Sequence, residues 1–402
     1  MHAASLKAAI LSLLSIALIA TGCSSRASTS ASPRVVTVAQ SGSADVIGSD
    51  SAALQKAASL LRPGDTLFIG PGIYAMDNSL FVPSGVNVKG AAGQTILRKS
   101  RGVESALLED GDFADSFLAV ADPQKFHPGM GVAVSDDTLH SCWDPTVTSV
   151  ASVKPPYVLL SPVTVRDYSR EKHALLSNTF PVVAVMNAQN SVVEDLIVDG
   201  NRAENRYLDG CRGGAIYLYN VRDVKIRHCT AKNYNGDGIS FQVTENVEVL
   251  DSESYGHAGF GVHPGTGSAH ALVKNCRLHD NGAIGLFLCW RVRHSRFENN
   301  VMEHNGQYGI SIGHKDTDNE FIGNTIARNG ATGVYFRKET ASNSGSRNVF
   351  RNNRVLQNGN AQAGYGFYVE PNTSGLVFEG NQIAESSGVQ KVAIYKAPAA
   401  AN

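Results

Sequence analysis

Three short segments collect side chains that can move protons or hold carboxylates: Trp290-Arg291, His314-Lys315-Asp316 and Arg337-Lys338-Glu339. With His263 and Tyr335 they suit removal of a proton α to a carboxylate, followed by loss of a β-oxygen. Arg291, Lys315 and Arg337 would neutralise the carboxylate, His263 or His314 would act as base, and Tyr335 would give a proton to the leaving oxygen. Hydrolysis by paired carboxylates competes with this chemistry. Asp316 and Glu339 are the candidates for it, and a retaining pair stands about 5 Å apart.

A second set has the character of a binding face. Tyr217, Tyr219, Gln242, Trp290, Lys338, Tyr368 and Glu370 mix aromatic rings with amide and charged groups. Rings stack on the C–H faces of sugars, and polar groups meet hydroxyls. Any one of these residues is also ordinary on an exposed strand, where tyrosine is favoured for propensity alone. Their concentration on one face is the argument for a groove. A non-catalytic glycan-binding scaffold is the third alternative.

The elements that position these residues are repeats. Gly238, Gly261, Gly285, Gly309, Gly333 and Gly366 each open a Gly-apolar-x-apolar segment, after a first copy at Ala215, in steps of 23, 23, 24, 24, 24 and 33 residues. A second column follows in phase: Cys229, Ser252, Cys276, Asn300, Asn324, Asn353 and Asn381. Three residues before each lies Ile226, Val249, Val273, Phe297, Phe321, Phe350 or Phe378. Apolar spacing of two indicates strands. A period of this size holds short strands and turns, and stacking coils about 4.8 Å apart pairs each strand in parallel with its equivalents. The asparagines then form a ladder that satisfies turn backbone. Cys229 and Cys276 sit in that column two coils apart, about 9–10 Å by the strand spacing. That is too far for a disulfide, which needs Cα atoms within about 7 Å. Both are expected to be buried thiols, and Cys142, Cys211 and Cys289 stay unassigned.

This pattern resembles the right-handed parallel β-helix superfamily of pectate lyases, polygalacturonase-like hydrolases and alginate-acting enzymes. The helix-like run after Asp50, a residue suited to an N-cap, is similar to the capping helix of such proteins. The resemblance implies an all-β, right-handed, single-stranded parallel β-helix with an N-terminal capping helix, and a polysaccharide substrate. Under it the preferred activity is β-elimination on a uronate-containing glycan. Alginate epimerases of this fold carry Asp-Pro-His-Asp in a corresponding strand, and His263-Pro264-Gly265-Thr266 shares only the proline. That departure makes epimerisation the weaker reading. Many lyases of the superfamily use Ca2+, and residues 316–319, including Asp316 and Asp318, offer oxygen ligands for it.

The remaining organisation follows from composition. Lys7, an apolar run to Ala20 and the Ala20-Thr21-Gly22-Cys23 box read as a lipoprotein signal peptide over residues 1–22, with Cys23 lipidated. Residues 23–33 read as a tether, 34–101 as cap and first coils, 102–180 as an irregular insertion, 181–390 as repeats and 391–402 as a tail. The expected location is the bacterial cell envelope, with membrane contact only through the lipid. A net charge of −1 over 402 residues provides no field for nucleic acid. The chain is expected to be monomeric.

Overall fold

The computed structural model describes residues 32–138, 141–362, 364–384 and 389–398. The signal peptide, Cys23 and the tether as far as residue 31 lie outside the described residues. From Pro33 onward the chain is one compact unit. Among the described residues, three long parallel sheets of 12, 10 and 10 strands run the length of a solenoid. The first coils pair directly with later ones across a long sequence gap: Asn87 pairs with Val192 and Leu80 with Val183. The capping helix Ser51–Ala58 begins at Asp50, whose carboxylate accepts from the Ala53 N–H at 2.8 Å. Leu54, Ala57 and Ala58 point into the core and cover its end.

The repeat fixes the register. Ile216 pairs with Ile239, Ile239 with Val262, Leu286 with Ile310, Ile310 with Val334 and Val334 with Phe367. One further coil precedes the series, since Val183 pairs with Ile216. The expected tail also adds a strand, Val392–Lys396, paired with Tyr365–Val369. Inside, Phe297, Phe321 and Phe350 stack at centroid spacings of 4.9 and 4.6 Å, the repeat of the coils themselves. A fully buried phenylalanine contributes about 1.5–3 kcal/mol, and each coil buries such residues only against its neighbours.

The ladder is present and is doubled. Asn300, Asn324 and Asn353 each accept from the backbone N–H of the coil before and donate to a carbonyl within it. Cys229 and Cys276 occupy the same column as free buried thiols, and burial pushes both up to about 12. Asn281, Asn305, Asn329 and Asn358 build a second ladder.

Residues 102–180 are not irregular. Strands from Glu104–Ala106 to Leu175–Ser177 form a six-stranded antiparallel sheet with its own core, including Leu118, Val132, Val158 and Leu176. Thr146–Lys154 alternates inward and outward as a strand should, but it pairs antiparallel and locally, so it carries no trace of the solenoid period.

Candidate functional site

The outer side of the strands that start at Ile216, Ile239 and Phe260 was expected to face solvent. It is covered instead: Tyr217, Ser240, Gln242 and His263 are all buried. The 33-residue step between Val183 and Ile216 supplies the cover, a loop around residues 205–213 lying on this face. Ser240 Oγ donates to the Gly210 carbonyl at 2.6 Å, and the Tyr217 hydroxyl donates to the Cys211 carbonyl at 2.7 Å. Asn235 holds the Asn205 carbonyl at 2.7 Å. Position 210 has to be glycine, because a Cβ there would lie 1.8 Å from Asp237 Oδ2. The inserted sheet grips the same loop through the Cys142–Cys211 disulfide and an Arg212 hydrogen bond to the Pro145 carbonyl.

Beneath this loop stands a buried ion pair. His263 Nδ1 lies 2.7 Å from Asp237 Oδ2, and Asp237 Oδ1 accepts from the Phe260 N–H at 2.8 Å. Burial disfavours the imidazolium. Asp237 and the neighbouring Cys289 sulfur outweigh that and hold His263 up to about 10. Its Nε2 is buried with no hydrogen-bond partner among the described residues. Above the pair, Asp209 is half-buried and Tyr207 is 54 % exposed. Burial and the charge on Asp237 push Asp209 above the usual carboxylate range. Burial of its hydroxyl, with Asp237 and Asp209 nearby, pushes Tyr207 above its ordinary value.

Tyr207 and Asp209 open into a pocket of about 360 Å3 between the loop and the inserted sheet, lined also by Asp136, Thr138, Asp144 and Arg166. Arg166 Nη2 meets Asp136 Oδ1 at 2.6 Å. Burial would raise Asp136, but Arg166 and the N–H groups of Thr138 and Ser169 bring it down to about 2. A neighbouring groove of about 260 Å3 is lined by Phe81, Met186, Arg212, Tyr217 and Tyr219. Trp143 from the inserted sheet sits edge-on to Tyr219 at 6.0 Å.

The other sequence candidates fall into two groups further along the solenoid. His314 lies 3.3 Å from Glu339 and 4.8 Å from the Trp290 ring, with Arg291 beside Trp290 and Lys315 and Lys338 exposed. Tyr335 stacks with Tyr308 and contacts Tyr368, and its hydroxyl meets Glu370 at 3.3 Å. Asp316 is not an accessible acid. It is fully buried, accepting from the Gly313 and Val292 N–H groups and from Arg337. Arg337 in turn spans the Leu288 and Cys289 carbonyls and lies over the Phe287 ring. The structure therefore makes Asp316 and Arg337 a brace between coils, which removes the carboxylate pair with Glu339 and one of the proposed clamps. Asp316 is likewise withdrawn from the suggested Ca2+ ligands, and Asp318 is held by Arg347.

Tyr207 and Asp209 were not among the residues singled out from sequence. The repeats legible there began at Ala215, so the loop before that residue had no coil to belong to. The available signal was the small-residue run around Asp209-Gly210-Cys211 just ahead of the first anchor.

At the level of sequence, no curated protein gives a match. Among solved structures, the A-module of the mannuronan C-5 epimerase AlgE6 of Azotobacter vinelandii aligns at 14 % identity and TM-score 0.52 over 87 % of this chain and 95 % of its own. An alginate lyase from a Paenibacillus species aligns at 14 % identity and TM-score 0.51 over 90 % and 98 %. ORF18 of Geobacillus virus E2 aligns at 10 % identity and TM-score 0.54 over 90 % and 60 %. At these identities the likeness is one of fold. The family model described as the right handed beta helix region matches residues 181–278 and 265–396, and with the stacked parallel sheets it establishes that the chain belongs to the right-handed parallel β-helix family.

Proposed function

We propose that this chain is a carbohydrate-active enzyme that cleaves a uronate-containing polysaccharide by β-elimination. One observation carries the reading: Tyr207 and Asp209 line a pocket above the buried Asp237–His263 pair, and their surroundings raise the proton affinities of Tyr207, Asp209 and His263. Asp209, raised toward neutrality, suits the base that takes the proton α to the uronate carboxylate. Tyr207, which lines the same pocket, suits the acid that protonates the departing glycosidic oxygen. Asp237 and His263 position Asp209 and set the field around it. Arg166 is the cation at the pocket wall, and the Trp143, Tyr217 and Tyr219 groove is suited to neighbouring sugar rings. Mannuronan C-5 epimerase and alginate lyase are the names of two structural neighbours. The Lys7-to-Cys23 segment supports delivery to the cell envelope, where such polymers are met.

Hydrolysis is less well served. Asp237, the carboxylate beneath Asp209, is committed to His263 and the Phe260 N–H, and Asp136 on the pocket wall is committed to Arg166. The test is ultraviolet absorbance while the purified protein meets a panel of uronate polysaccharides, with and without Ca2+. A rising signal from the unsaturated product supports elimination. New reducing ends without that signal would overturn it in favour of hydrolysis, and no reaction on any member would favour a glycan-binding scaffold.

A further inference from the structure

The reactive cluster above also holds three sulfurs that the proposed reaction does not use. Cys211, His263 and Cys289 offer ligand atoms that all lie within 4.8 Å of one another, and all three residues are buried. Cys142 and Asp209 lie within the same distance of Cys211. A tetrahedral zinc ion, with Zn–S near 2.3 Å and Zn–N near 2.1 Å, keeps its donor atoms roughly 3.5–3.8 Å apart. The second, independent observation is His263 itself. Among the described residues its Nε2 is buried without a hydrogen-bond partner, while Nδ1 is committed to the Asp237 carboxylate at 2.7 Å. That is the carboxylate–histidine arrangement by which proteins orient an imidazole toward a metal.

We propose that reduction of the Cys142–Cys211 disulfide opens a zinc site made of Cys142, Cys211, Cys289 and His263, with Asp237 orienting the histidine. In the disulfide form two of the three sulfurs are bonded to each other and are poor ligands, so the site is gated by redox state. A phosphine reductant supplies the two electrons. It takes an oxygen from water to become the phosphine oxide, and the two water hydrogens go to the two freed sulfurs. Zn2+ then displaces the three thiol protons and the Nε2 proton of the His263 imidazolium, four protons released to solvent, and Nε2 gives the fourth bond while Nδ1–H stays on Asp237. The proposal makes no use of a substrate and stands apart from the elimination reading.

The test is titration of the full chain with Co2+ as a spectroscopic stand-in for Zn2+, before and after phosphine reduction, with circular dichroism read in parallel. The reduced chain is expected to take up one ion with sulfur-to-cobalt charge-transfer and tetrahedral d–d bands, and Zn2+ should bleach them. The disulfide form should show neither band. Cys289→Ser, which leaves the disulfide untouched, should weaken uptake at least about 10-fold, and Asp237→Asn about 10- to 100-fold. Uptake unchanged by Cys289→Ser would overturn the proposal. So would absence of uptake by a reduced chain that keeps its β spectrum, or loss of that spectrum on reduction.

Discussion

His257 stands in a ladder otherwise filled by amides and does their work with a ring. Its Nδ1 accepts from the Tyr234 N–H at 3.0 Å and its Nε2 faces the Ala231 carbonyl at 3.2 Å. Asn281 does the same one coil on, accepting from the His257 N–H and donating to the Ser254 carbonyl. The price of the ring is acid sensitivity. Burial holds His257 neutral and pushes it down from 6.5 to about 3. A protonated His257 is favoured only in the unfolded chain, so stability is full above the unfolded value and falls as pH drops below about 6.5. The loss by about pH 5 is about 2 kcal/mol, at about 1.4 kcal/mol per pH unit. His257→Asn should restore the amide pattern and flatten the stability profile over that window, as measured by urea midpoints. A parallel, unflattened profile would count against this assignment. Asn324→Ala should cost about 2–3 kcal/mol by the same measurement, because it leaves the Asn300 N–H and the Phe297 carbonyl without partners.

At the scale of elements, the loop around residues 205–213 and the inserted sheet make a site from a solenoid face that alone would be only a surface. Lys99 joins them, reaching the Asn178 carbonyl and Asn205 Oδ1, both at 2.6 Å, beneath the Phe180 ring. Burial pushes Lys99 from 10.5 down to about 7. Between those values the unfolded chain binds the extra proton, so its contribution rises with pH by about 1.4 kcal/mol per unit. Lys99→Met should remove that slope from the difference between the two stability profiles, whatever it does to their absolute level. Gly210→Ala tests the loop itself. Its Cβ has nowhere to go beside Asp237 and His263, so activity should fall sharply while the circular dichroism of the coils is unchanged. Neither element was legible as structure in the sequence. The solenoid announces itself through repetition, whereas an antiparallel insertion pairs only with itself and a covering loop obeys no period. For the same reason Cys142 and Cys211, 69 residues apart and brought together by that insertion, gave no sign of their pairing.

At the scale of the whole molecule, one rule governs what could be read beforehand. Columns such as Val273, Phe297, Phe321 and Phe350 repeat because each must meet its equivalent in the next coil, and the register confirms every one. Side-chain direction was legible too, since His263 and Tyr335 stand outside the apolar core of the coils. Exposure was not, because it depends on what else lies on that face. The chemistry expected from sequence ran from His263 through Arg291, His314, Lys315, Asp316, Tyr335 and Arg337 to Glu339, whereas the structure gathers the buried, charge-coupled groups around His263, where the solenoid is roofed. The most direct test compares initial rates of ultraviolet-absorbing product from a uronate polysaccharide for Asp209→Asn and Glu339→Gln. The account predicts a loss of roughly 100-fold or more for Asp209→Asn, as expected for removal of a general base, with Glu339→Gln close to the parent rate. A near-normal rate for Asp209→Asn together with loss of activity in Glu339→Gln would contradict it and move the reaction to the open face beside His314.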